Sequence, residues 1–191
     1  MTDGVLNWYH SKSHNGLYLG IDSARIKRLA KIVEATGAAI VLITTWKDFY
    51  EISAYKQYTE TGKYMNNKFR KVGLKIYDKT TDIAGWAYRG AGIKVWLDSH
   101  PEVKEFVILD DEIFNDYETY DYLPHMIKTM YRLEPNQEKF AGLTDNLVEK
   151  AIDILNGKLP EDGPTLDKNY VEWIHKNFPE VKLNTEKLYY L

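Results

Sequence analysis

The chain has no cysteine, only six prolines, and no uninterrupted apolar run longer than Ala38 to Ile43. Each shortage removes a class of chemistry. Without thiols there is no disulfide, no thiolate zinc site and no thiol nucleophile, and such a composition suits a reducing cytosol. The longest apolar run is far shorter than the roughly 20 residues needed to cross a bilayer, and no signal peptide is visible, so no membrane role is expected. Neither sign of charge dominates: 25 Lys and Arg against 28 Asp and Glu leave a formal net charge of -3. That balance gives no global electrostatic footprint for nucleic acid. The local basic strip Lys63, Lys68, Arg70, Lys71 and Lys75 reads as a solvated helix face.

What is present suits one α/β domain with an appendage, since 191 residues with 44% hydrophobic content can bury a full core. After Asp3-Gly4, the stretch from Trp8 to Gly20 is polar and aromatic and reads as a loop or short hairpin. His10 and His14 stand at i, i+4 and could share a metal on a helix, but the neighbouring Gly and Asn argue for loop. Asp22 or Ser23 caps a helix with Ile26, Leu29, Ala30 and Val33 on its buried stripe, and Gly37 stops it. The run 39–43 is short, β-branched and unalternating, as expected of a strand buried on both faces of a parallel sheet. Thr44 and Thr45 follow at its carboxyl end.

Residues 46–72 read as two helical pieces broken near Thr61-Gly62, followed by a weak strand over 74–77. A helix over 91–100, closed by Pro101, leads to a second buried strand over 105–109 that runs straight into Asp110-Asp111-Glu112. A further strand is expected within 125–131. Thr144 caps an amphipathic helix carrying Leu147, Val148, Ala151 and Leu155 inward, with Gly157 as its stop. Pro160, Gly163 and Pro164 then mark a linker to a helix over 166–178 and a Tyr-rich tail over 184–191. The expected organisation is a domain over 1–157 with residues 158–191 packed back on it, although the stripe Val171, Trp173, Ile174 and Phe178 could instead dock a partner.

Strands alternating with helices place ligands at the carboxyl ends of the strands. Two adjacent aspartates there repel one another unless a cation sits between them, and oxygen-only ligands point to Mg²⁺ rather than zinc. Read alone, Asp110 and Asp111 could equally start a turn or cap a helix. Thr44 and Thr45 offer hydroxyl and backbone N–H groups for a phosphate oxygen, and Arg89 offers a fixed positive charge for the same anion.

The order Asp-Gly-Val-Leu-Asn at 3–7, Ile-Val-Leu-Ile-Thr-Thr-Trp at 40–46, Arg-Gly-x-x-Ile at 89–93 and Phe-Val-Ile-Leu-Asp-Asp at 106–111 resembles the four motifs of the haloacid dehalogenase-like (HAD) hydrolase superfamily. Within it the likeness is to the domains of Swiss Army Knife RNA repair proteins. It extends over Trp96 to Val103 and Gly142-Leu143-Thr144, and so covers Asp3 to about Asn156. The resemblance implies a Rossmann-like core with a mostly parallel sheet, a small helical insert and no large cap domain. It implies a Mg²⁺-dependent phosphatase in which an aspartate attacks phosphorus and Asp3, two residues later, serves as acid and then base. Thr44 or Thr45 would bind the phosphoryl group with Arg89, while Asp110, Asp111 and Asp3 would hold the metal. RNA or DNA terminal phosphates are the implied substrates, with small nucleotides as the alternative.

Two departures stand out. Met1 occupies the nucleophile position, and a thioether cannot attack phosphorus. The apolar first strand, central in such a fold between the strands leading to Thr44 and Asp110, is missing. About six buried apolar residues at roughly 1.5–3 kcal/mol each represent about 9–18 kcal/mol, as much as the roughly 5–15 kcal/mol net stability of a whole domain. The expectation is a truncated or mis-started form of a longer phosphatase. If Met1 is the native start, the expectation is a non-catalytic module that binds phosphate and metal.

Overall fold

Ser23–Thr36 forms the helix that its spacing predicts, here α1, in a computed structural model that describes residues 4–52, 56–85 and 87–179. Asp22 enters it in extended conformation, and Gly37 ends it in the left-handed region with its N–H on the Val33 carbonyl at 2.8 Å. The buried stripe is Ile26, Leu29 and Ile32 together with Arg25, while Ala30 and Val33 are only partly covered. The contact face is therefore turned slightly from the expected one, because α1 packs against α4 (Asp145–Leu155). Arg28 and Lys31 reach Asp145 at 2.8 and 3.1 Å across that contact. Arg25 bonds Asp22 at 2.6 Å and the Ala141 carbonyl at 3.0 Å, which explains how an arginine can lie in the core.

Before α1, His14–Asn15 (β1) and Tyr18–Leu19 (β2) make a two-residue antiparallel hairpin. His10 and His14 share no helix, which removes the geometry that a shared metal would need.

After α1 comes Ile40–Leu42 (β3), which pairs in parallel with Ile76–Lys79 (β4). The crossover between them is a 3-10 turn, Thr45–Phe49, and one α-helix, Glu60–Arg70 (α2). The break expected at Thr61-Gly62 is instead the first turn of α2. Thr59 caps it, accepting the Gly62 N–H at 2.9 Å. Gly62 is there for close approach, since a Cβ at that position would meet the Phe49 carbonyl. The strand β4 lies two residues beyond the predicted one, with Leu74 buried in the turn before it.

Arg89–Asp98 (α3) begins two residues before Ala91 because Asp116, far along the chain, accepts the N–H groups of Gly90 and Ala91 at 3.0 and 2.7 Å. Ile108–Asp110 (β5) and Met126–Lys128 (β6) form a second parallel pair, with Asp110 in register with Lys128. Both strands are shorter than the predicted runs. Thr165 bridges to β6 through bonds of 2.8 and 2.9 Å. Lys168–Asn177 (α5) buries Tyr170 and Ile174 against Trp8, Met130, Leu133 and Phe140. Of the expected stripe, Ile174 is buried, Val171 and Trp173 are half-buried, and Phe178 is exposed. The tail over 184–191, Tyr189 and Tyr190 included, lies outside the described residues.

The expected single sheet is resolved into two parallel pairs. Among the described residues β3 pairs with β4 and β5 with β6, but no ladder joins β3 to β5. Between them lies an apolar cavity of about 310 Å³, lined on one side by Ile40 and Ile43 and on the other by Phe106 and Ile108. The core nonetheless spans both pairs, since Ile40, Leu42, Leu109 and Ile127 share one cluster with Val5 and Leu6. No helix among the described residues is long and apolar enough to cross a membrane.

Candidate active site

An apolar strand that ends in carboxylates must find partners for them, and β5 does so at its last residue. Asp110 is 1% exposed. Its Oδ2 accepts from Arg89 Nη1 at 2.7 Å and from the Tyr117 hydroxyl at 3.2 Å, while Oδ1 accepts the Asp111 N–H at 3.0 Å. Arg89 is fixed on the first turn of α3, and its guanidinium lies 4.0 Å over the Phe114 ring. Burial, then the adjacent Asp110 charge, raises the Tyr117 phenol above its ordinary pKa and keeps it a donor.

Asp111 has no comparable cationic clamp. Burial first, and the Asp110 charge second, push its carboxyl up to about 6. Gly4, at φ 70°, packs its backbone directly against this carboxyl group, so closely that any Cβ would overlap it. The Gly4 N–H donates to Asn7 Oδ1 at 2.9 Å, and its carbonyl accepts from the Thr129 hydroxyl at 2.7 Å. Thr129 also donates its own N–H to the Asp110 carbonyl at 2.9 Å. The loop after Asp3 is thereby tied to the ends of β5 and β6.

Lys128 adds a buried cation beside these carboxylates. Its Nζ is 3.3 Å from the Asp111 carbonyl, and burial lowers its pKa against the opposing pull of Asp111 and Asp110. Sequence reasoning passed over Lys128, Tyr117 and Asp116. The available signal was a lysine inside the apolar segment Met126-Ile127-Lys128, which as a core position needs acidic neighbours.

Of the residues expected at the site, the structure joins Arg89, Asp110 and Asp111 and brings Gly4 against them. Thr44 and Thr45 stand at the carboxyl end of β3 as expected. Thr44 is buried and caps the 3-10 turn, with its hydroxyl 3.4 Å from the Trp46 N–H, whereas Thr45 is exposed. Met1 and Asp3 lie outside the described residues.

One buried and one half-buried carboxylate with no sulfur or imidazole beside them fit a hard divalent cation in kind, and such an ion would favour the charged form of Asp111, which burial and Asp110 oppose. No group of three or more His, Asp or Glu side chains gathers among the described residues. Among the described residues, Asp110 and Asp111 are the carboxylates that the end of β5 offers to such an ion.

A family model described as the HAD domain in Swiss Army Knife RNA repair proteins matches residues 2–140, well over half of the chain. No curated protein and no solved structure matches it.

Proposed function

We propose that this chain, which belongs to the family of HAD domains in Swiss Army Knife RNA repair proteins, carries the metal- and phosphate-handling part of a phosphatase for nucleic-acid ends. The observation that carries this reading is the strand-end pair Asp110 and Asp111, one clamped by Arg89 and the other held up to about 6 beneath Gly4. Family membership supports hydrolase chemistry. The metal and the terminal-phosphate substrate are our own extension.

In this reading Asp110 and Asp111 hold Mg²⁺, with Asp3 as a third ligand. The ion, when bound, neutralises charge on the non-bridging phosphoryl oxygens. Arg89 orients Asp110 and presents the remainder of its guanidinium to the phosphoryl group. The hydroxyl of Thr44 or of Thr45, at the carboxyl end of β3, donates to a phosphoryl oxygen. Asp3 gives a proton to the leaving oxygen and later takes one from the attacking water. In this reading the attacking group would be a carboxylate at position 1, where this chain carries Met1.

The test is phosphate release from 3′- or 5′-phosphorylated oligonucleotides and from free nucleotides, by protein carrying an apolar leading strand and Met1→Asp. The reading expects Mg²⁺-dependent release with preference for oligonucleotides. A preference for mononucleotides would move the substrate to small molecules, and no release at all would sink the catalytic reading. Met1 itself favours the second reading, a module that binds phosphate and metal without turnover. That module would gain stability from Mg²⁺ and phosphate and no activity from the added strand.

A further inference from the structure

An open groove of about 820 Å³ is lined by side chains with no part in the chemistry above. Its walls come from the loop after Gly4, the segment after β6, and α5. The floor is apolar, made by Leu133, Tyr170 and Ile174, all buried. Tyr9, Trp173 and Phe178 line the groove as well. Tyr9 is 57% exposed and Phe178 42% exposed. Tyr9 is held upright by its N–H bond to the Tyr131 carbonyl at 3.1 Å and by edge contacts of its ring with His10 and Tyr131. Trp173 is fixed by stacking against Tyr170 and by the edge of Phe178.

Arg132 lies on the rim, exposed, with no ion pair or hydrogen bond among the described residues. Glu134 is the one acid among the lining residues, and it opens the 3-10 turn Pro135–Phe140.

We infer that this groove binds unpaired nucleobases of a single strand whose terminal phosphate lies at Asp110 and Asp111. The inference rests on the reading of that pair as the phosphate end of the site. Ordered aromatic faces left open to solvent, with an uncommitted guanidinium beside them, are what stacked bases and a phosphodiester require together. Sequence tolerance follows, because every base offers a π-face and the groove has few fixed hydrogen-bonding groups. The reach is short. Tyr9 is five residues from Gly4, at most ~18 Å of chain, and Arg132 is three residues from Thr129, at most ~11 Å. A strand anchored by its end at Asp111 would therefore place one of its first few bases against Tyr9.

The test is equilibrium binding of a single-stranded octaribonucleotide without terminal phosphates, read by quenching of tryptophan fluorescence in the chain as it stands. Saturable binding is expected, with Tyr9→Ala weakening it roughly tenfold and Tyr9→Phe leaving it near the starting value. Arg132→Ala should weaken it less and reduce its salt dependence. An abasic strand of equal length should bind the parent as weakly as the full strand binds Tyr9→Ala. Tyr9 and Arg132 are exposed, so loss of fold is not the expected cause of either effect, and unchanged melting temperatures check this. Equal binding of the abasic strand, an unaffected Tyr9→Ala variant, or no saturable binding would overturn the inference. Because the ligand has no terminal phosphate, its binding stands or falls separately from phosphate release.

Discussion

Arg89 Nη1 lies 2.7 Å from Asp110 Oδ2, with only 16% and 2% of the two side chains exposed. The pair joins the first turn of α3 to the last residue of β5, so a local helix start and a buried strand end fix one another. It also commits one of the candidate metal ligands to a protein cation, and leaves the neighbouring Asp111 with unbalanced charge.

Removing the arginine should expose that dependence. Arg89→Ala leaves Asp110 buried with one hydroxyl donor and one N–H, and a loss of roughly 3 kcal/mol is expected, the lower end of what breaking a buried pair costs. Tyr117→Phe removes only the weaker bond and should cost about 1.5 kcal/mol. Urea denaturation of both variants checks the order, and a smaller loss for Arg89→Ala than for Tyr117→Phe would contradict it.

Asp111 predicts a pH dependence with a definite sign. Its folded pKa of about 6 stands above the roughly 3.9 of an unfolded aspartate, so the folded state holds the extra proton. The stability this contributes is full below about pH 4 and is lost as pH rises through 6. Metal-free protein should therefore lose melting temperature over that window relative to Asp111→Asn, whose profile lacks this component. Added Mg²⁺ should restore stability more at pH 7 than at pH 5, because it competes with the proton. Parallel profiles for the two proteins would contradict the assignment.

Asp116 should matter to α3 although it lies outside that helix. Asp116→Ala leaves the Gly90 and Ala91 N–H groups without their shared acceptor and should cost about 1–2 kcal/mol. Asp116→Asn, which can still accept one of the two bonds, should cost less. Chemical denaturation distinguishes them.

Gly4→Ala tests the contact between the leading loop and Asp111. A side chain in the left-handed region costs roughly 1–2 kcal/mol, and the added Cβ would also displace the Asp111 carboxyl group. The expected result is a lower melting temperature together with a weaker response to Mg²⁺. Loss of stability with an unchanged Mg²⁺ response would mean that Gly4 has no part in shaping the cation site.

Those elements whose signals are local were legible in the sequence. The apolar run into Asp110-Asp111, the Gly37 stop of α1 and the Thr144 cap of α4 each sit within a few residues of the feature they define. The start of α3 was misplaced because its cap, Asp116, is 26 residues beyond Gly90. Lys128 and Tyr117 were missed because their role comes from the parallel register of β6 with β5 and from the turn after β5. The break assigned to Gly62 failed for a related reason: a glycine chosen for close approach to Phe49 looks, in sequence, the same as one chosen to end a helix.

The central claim is that Asp110 and Asp111 form the cation-binding end of a phosphate site, and calorimetric titration of Mg²⁺ into the chain at pH 7 tests it most directly. The account predicts saturable binding of one ion in the parent chain, abolished in Asp111→Asn and strengthened by inorganic phosphate. Binding of equal strength in Asp111→Asn, or no binding in the parent at millimolar Mg²⁺, would contradict it.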